Sequence, residues 1–130
     1  MKTYNLLVIA MMAVLLSCNQ SPENRQSEPE RLLRHVVLFN FIDTATAEEI
    51  RAVEESFAAL PGKIDEIHDF EWGRDIDVSN IARGYTHCFL VTFKSEADLD
   101  AYGPHPAHQE FVSLVQPIVE DVLVIDYWTE

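Results

Sequence analysis

His35-Val36-Val37-Leu38-Phe39-Asn40-Phe41 is rich in β-branched and aromatic residues, and an extended chain sends alternate side chains to opposite sides. His35, Val37, Phe39 and Phe41 take one side, Val36 and Leu38 the other. Both sides are apolar, whereas a strand with one solvated face carries polar residues there. A sheet built on this strand needs a cover on each face.

Downstream, Thr46-Ala47-Glu48-Glu49 is a capping box, and Ile50, Val53, Phe57 and Leu60 follow at helical spacing up to Pro61-Gly62. Ile67 to Trp72 reads as a second strand closing at Gly73, and the polar stretch Asp75 to Arg83 as a loop. Tyr85 to Phe93 is a third strand, with Tyr85, His87, Phe89, Val91 and Phe93 on one side and Thr86, Cys88, Leu90 and Thr92 on the other. A second helical segment begins under a Ser95-x-x-Asp98 cap, breaks at Gly103-Pro104 and resumes from Pro106 to about Gln116. Val122 to Tyr127 is the last strand. The order β-α-β-β-α-β predicts an α+β, ferredoxin-like fold: a four-stranded antiparallel sheet with both helices on one face. The other face would carry Val36, Leu38, Cys88, Leu90, Leu123 and Ile125. A second copy is the economical cover, giving a homodimeric α/β barrel.

Upstream of this domain, residues 1–17 have a basic Lys2 and an apolar run from Leu6 to Leu16, too short for a membrane span of about 20 residues. They form a signal peptide, and Leu15-Leu16-Ser17-Cys18 resembles the bacterial lipobox, which makes Cys18 the expected lipidation site. Residues 18–30 then comprise the lipidated Cys18 and a polar tether, expected to be disordered because it has almost nothing apolar to bury. The domain is 31–130. The expected location is the cell envelope, on a bacterial membrane through the lipid anchor, at a periplasmic or outer-membrane face.

The chain carries 9 basic and 22 acidic residues, a net charge of −13, which makes nucleic acid a poor partner. With Cys18 acylated, Cys88 is the one remaining thiol, so there is no disulfide framework, and a buried, inert Cys88 is expected. No Gly-rich phosphate loop, Gly-x-Ser-x-Gly or Cys-x-x-Cys occurs, so no cofactor and no covalent nucleophile is expected. Four histidines, His35, His87, His105 and His108, raise the question of a metal. Their spacing matches no ligand motif, and no Cys, Asp or Glu is expected at the inward strand positions, so no metal is expected. His68 is expected to be solvated or interfacial, and Trp72 to lie in the core.

Tyr102-Gly103-Pro104-His105-Pro106-Ala107-His108-Gln109-Glu110-Phe111 concentrates a phenol and two imidazoles. Pro104 and Pro106 forbid one continuous helix, and His105-Pro106 suits a cap followed by the first helical residue. His108 and Phe111 then share a face, and Tyr102 enters from the preceding helix. Strand parity puts His35 and His87 on the same helix-covered side, so His35, His87, Tyr102 and His108 are expected to border one cavity, with His105 facing out toward the helix start.

These features together resemble the stress-responsive α/β-barrel (Dabb) family of dimeric ferredoxin-like barrels. The resemblance rests on Arg34-His35-Val36-Val37-Leu38-Phe39, Trp72-Gly73, Gly84-Tyr85-Thr86-His87, His105-Pro106-Ala107-His108 with Phe111, and Asp126-Tyr127. It implies a homodimer whose two sheets form a central barrel, with a small apolar cavity in each protomer. Activity does not follow from fold alone. One plant branch closes a linear polyketide by an intramolecular aldol step, and its Tyr-x-x-His-Pro-x-His pattern falls here on Tyr102 and His108. That likeness implies His108 as a general base and Tyr102 as its hydrogen-bonding partner. Val37, Phe39, Val53, Phe57, Phe70, Phe89 and Phe111 would form an apolar wall, with His35 and His87 beside them, for a small apolar ligand. Gly103-Pro104 departs from the branch, replacing an apolar pair. The sequence therefore carries three functional readings: a binding module for a small apolar or aromatic molecule, a cyclase or isomerase, and a structural stress protein without ligand.

Overall fold

The computed structural model describes residues 30–77 and 81–130. The signal-like segment 1–17, Cys18 and nearly all of the tether lie outside the described residues. Four strands, β1 (Leu33–Phe41), β2 (Asp69–Arg74), β3 (His87–Phe93) and β4 (Val119–Trp128), alternate with α1 (Ala47–Ala58) and a broken helical pair, α2 (Glu96–Tyr102) and α3 (Pro106–Val115). The sheet order is β2-β3-β1-β4, and each neighbouring pair is antiparallel. This is the ferredoxin-like α+β arrangement, with β1 and β3 in the middle.

Local chemistry sets the ends of the elements. The Thr46 hydroxyl accepts from the Glu49 amide, and the Glu49 carboxylate accepts from the Thr46 amide at 2.8 Å, closing the capping box on α1. Ser95 caps α2 through the Asp98 amide. β3 begins at His87, two residues later than the sequence suggests, because the Tyr85 amide is bonded to the Ala82 carbonyl in a turn. Gly84 in that turn has φ +88°, and a Cβ there would sit 2.8 Å from the Asn40 side chain, so the position needs glycine.

Register places the two faces. Val37 pairs with Phe89 and Val124, so these residues share the helix side of the sheet; Val36 pairs with Leu90 and Ile125, and Leu38 with Cys88 and Leu123, on the opposite side. The core lies on the helix side, where Phe39, Phe57, Phe89, Val91 and Phe93 are almost fully buried. Phe57 stacks on Phe89 with centroids 4.3 Å apart, and Phe111 closes on Phe57 at 4.5 Å. The opposite face has no cover in the protomer: Leu123, Ile125 and Tyr127 are exposed, and Val36, Leu38 and Leu90 are half-buried. Two expectations are corrected here. Cys88 is exposed, since it points to the bare face, and Trp72 is 39% exposed because β2 is an edge strand.

Candidate functional site

The helical break builds the site. Gly103 keeps helical dihedrals at the end of α2, and Pro104 then stops the helix. The His105 amide returns to the Tyr102 carbonyl at 3.2 Å. The His105 Nδ1 accepts from the Ala107 amide at 3.1 Å, so this imidazole is used as the cap of α3. One turn on, His108 Nδ1 lies 2.8 Å from the Gly103 carbonyl oxygen, and Gln109 Nε2 donates to the same atom at 2.8 Å. A carbonyl only accepts, so His108 holds its proton on Nδ1. Gly103, the departure from the plant pattern, thus supplies the atom that orients His108.

Tyr102 and His108 face each other with ring centroids 4.2 Å apart, and His35 comes edge-on to Tyr102 at 5.7 Å. The Tyr102 hydroxyl is buried and has no hydrogen-bond partner. Burial pushes its phenol far above the ordinary value, so it stays protonated as a donor. Burial likewise holds His108 below its ordinary value; the bond to Gly103 works the other way, and repulsion from His35 and His105 adds to the lowering. His108 is therefore a neutral imidazole at pH 7.

These three side chains border a cavity of about 360 Å³ between sheet and helices. Val37, Phe39, Phe57 and Phe111 line it, together with Val112, Val115, Gln116 and Val119 from the end of α3 and the start of β4, and Val122 and Val124 from β4. Val122 and Val124 remain 42% and 45% exposed, which places the mouth along the β4 edge. The polar groups gather at the Tyr102 end, and the valines run toward the mouth.

His87, Val53, Phe70 and Phe89 do not line this cavity. Val53 and Phe89 are wholly buried in the packing, and Phe70 rests on Phe57 at 5.4 Å. His87 is drawn away by Glu54: its Nε2 is 2.7 Å from Glu54 Oε1, and Arg74 donates to both oxygens of that carboxylate at 2.7 and 2.8 Å. The hydrogen bond from Arg74 holds the Glu54 carboxyl below the usual range despite its burial. Trp72 lies parallel to His87.

Two acids were not anticipated. Glu54 sits in the apolar stripe of α1 between Val53 and Phe57, and a carboxylate at such a position asks for a buried partner. Asp126 lies two residues beyond Val124 on β4, at inward parity, opposite His35. Its Oδ1 is 2.6 Å from His35 Nδ1. The alternation of Val122 and Val124 carried that signal. Among the described residues no group of three or more His, Cys, Asp or Glu side chains is placed to hold a metal ion.

A helix-roofed cavity on one face of a four-stranded sheet and a bare apolar surface on the other define one half of a ferredoxin-like barrel. The chain belongs to the stress responsive A/B barrel domain family, whose model matches residues 33–129. It is 38% identical to the stress-response A/B barrel domain-containing protein HS1 of Arabidopsis thaliana, over 73% of this chain and 87% of that protein. To the olivetolic acid cyclase of Cannabis sativa it is 30% identical, over 73% of this chain and 94% of the cyclase. Among solved structures, the hydroxynitrile lyase from Passiflora edulis superposes with a TM-score of 0.72 at 25% identity, covering 78% of this chain and 96% of the lyase. A dimeric ferredoxin-like protein from Bacteroides fragilis does so with 0.63 at 27%, covering 75% and 96%. The family thus includes enzymes that act on small organic molecules.

Proposed function

We propose that this chain is a lipid-anchored homodimer of the cell envelope that holds a small, largely apolar guest with one hydrogen-bond-accepting atom. The observation that carries the reading is the Tyr102 hydroxyl, a buried donor without a partner, on a residue that lines a cavity walled mostly by Val and Phe beside His35, His108 and Gln116. Leaving such a group unpaired costs about 1–3 kcal/mol, which a guest's carbonyl or hydroxyl oxygen would recover. The bare sheet face and the dimeric state of the Bacteroides fragilis neighbour support the dimer. Several acyl chains on Cys18 would supply about 0.8 kcal/mol per buried CH2, enough to hold the protein on a bilayer.

The test is an unbiased mass-spectrometric search for small molecules that co-purify with the Cys18→Ser full chain, compared with Tyr102→Phe in the same background. A guest enriched with the first and depleted with the second is expected; equal recovery from both defeats the reading. Cys18→Ser should also move the protein from membrane to soluble fraction, and a clickable fatty acid that labels both forms equally would refute the anchor.

The second reading is catalysis of cyclase or isomerase type, favoured by the contact of Tyr102 with His108 and by the likeness to olivetolic acid cyclase. With His108 as base, His108→Ala would slow turnover on the order of 100-fold while binding persists. In a pure binding site the same change alters affinity by about 1–3 kcal/mol, and there is no reaction to lose.

A further inference from the structure

The two edges of the sheet differ. β2 carries Asp69, Glu71 and Arg74, charges of the kind that keep an edge strand from pairing with another chain. β4 has none from Val122 to Ile125, and along its outer side it pairs with no strand among the described residues. It is also apolar on both faces: Val122 and Val124 on the helix side are 42% and 45% exposed, and Leu123 and Ile125 on the bare side are 42% and 48% exposed. A β-bulge fits this strand to the cavity. Phe41 pairs with Val119 and Asn40 with Asp121, so Glu120 is an extra residue, and Val119 and Val122 both line the chamber although they are three positions apart. α3 ends at Val115, and a short turn, Gln116–Ile118, leads directly into β4, so the roof stops where the mouth begins. The cavity wall and the bare face thus meet along one uncharged, unpaired edge.

We propose that a second copy of this chain, seated on the bare face and reaching around the β4 edge, closes the mouth of the cavity, so that guest binding and dimer formation strengthen each other. The occupant is a second copy because the uncovered valines are continuous along β4 with the apolar face that a dimer buries, and the Bacteroides fragilis neighbour is dimeric. An uncharged edge also suits a chain of net charge −13, whose copies repel wherever their acids meet. In the monomer a guest held at Tyr102 lies under an open mouth with its apolar end in water. In the dimer that end is dry, so the guest adds to the surface the partner packs on, and the partner slows the guest's escape. By thermodynamic linkage, the factor by which each bound guest tightens the dimer equals the factor by which dimer formation tightens that guest. The proposal rests on the cavity being a guest site.

The test separates the two readings. The probe is prodan, a fluorescent naphthyl ketone whose carbonyl can accept from the Tyr102 hydroxyl and whose emission moves to the blue in dry surroundings. It is titrated into the Cys18→Ser full chain, with dimer content followed by sedimentation velocity and access to the bound probe by acrylamide quenching. Equal affinity in Tyr102→Phe defeats the guest site and this proposal with it. Where Tyr102→Phe binds more weakly, Leu90→Asp, on the face opposite the cavity, supplies the monomer. That monomer is expected to bind the probe about 10-fold or more weakly than the wild-type dimer, within the usual range of coupling between sites, and to leave the bound probe open to acrylamide. Saturating probe is expected to tighten the wild-type dimer. Equal affinity or equal quenching in monomer and dimer overturns the closure and leaves the guest site standing. Should Leu90→Asp not fold, the wild-type dimer decides: slow quenching of the bound probe is expected, and quenching as fast as that of free probe overturns the proposal. Protection that appears only after phosphatidylglycerol vesicles are added assigns the cover to lipid and overturns the second copy.

Discussion

The two faces of the sheet are built from the same strands by the same alternation, and they end in opposite conditions. On the helix side Val37, Phe39, Phe89, Val91 and Phe93 are 0–5% exposed, and the rings of Phe39, Phe57, Phe89 and Phe111 pack in one cluster. On the other, Leu123, Ile125 and Tyr127 are 42–48% exposed, although Val36, Leu38 and Leu90 beside them are as apolar as a core. The difference teaches that apolarity on a strand states a need for cover and does not say who supplies it. Apart from the cavity mouth at Val122 and Val124, one face is covered within the protomer, and the other is left for a cover from outside it.

The strongest way to break that comparison is Leu90→Asp, which under the proposed pairing puts two like charges into one dry interface. A cost of about 3–5 kcal/mol for each unpaired charge is expected, seen as monomer in analytical ultracentrifugation. A wild-type chain that stays monomeric at micromolar concentration would show the bare face to be only a surface. The matched change on the covered face is Phe89→Ala, which should lower the unfolding free energy by about 3–5 kcal/mol in urea titration of each protomer. Equal effects of both changes on association would erase the distinction between the faces.

A smaller effect concerns Glu54, inside the covered face. Its carboxyl is held below the usual range by Arg74, so its stabilising contribution is present above the ordinary Glu value of about 4.3 and is lost as pH falls through the lowered folded value. Glu54→Gln should flatten that acid limb and cost about 1–3 kcal/mol at neutral pH, measured by thermal melts from pH 3 to 7. An unchanged limb would mean that the carboxylate gains nothing from Arg74 and His87. The smallest effect has the opposite sign. Tyr102→Phe should stabilise the empty protein by about 1 kcal/mol, because it removes a buried hydroxyl without a partner. A fall in melting temperature would show that the hydroxyl is already satisfied.

Periodicity was enough for the fold. The alternation in β1 and β3, the capping box at Thr46 and the break at Gly103-Pro104 each stand where the residues indicate, because each is a local rule that tertiary packing had no cause to override. The site was legible where helix geometry decides, as for Tyr102 and His108. It was illegible where a partner distant in sequence redirects a side chain. His87 has the parity of a cavity residue, yet Glu54, one turn of helix before Phe57, captures it. His35 had parity too, and the alternation of β4 puts Asp126 on the same side, but that the two meet is visible only once β1 and β4 are in register.

The order of the strands has a consequence in time. β1 is the first strand in the chain and lies between β3 and β4, with Leu33 opposite Trp128 and a pair of hydrogen bonds joining Leu32 to Thr129. At a synthesis rate of about 5–20 residues per second, this strand waits roughly 5 to 20 s for its last partner. Throughout that interval it presents two apolar sides and unpaired backbone to whatever meets it, so the sheet cannot close while the ribosome still holds β4. The four-stranded sheet of the newborn domain is therefore completed only after β4 has left the ribosome.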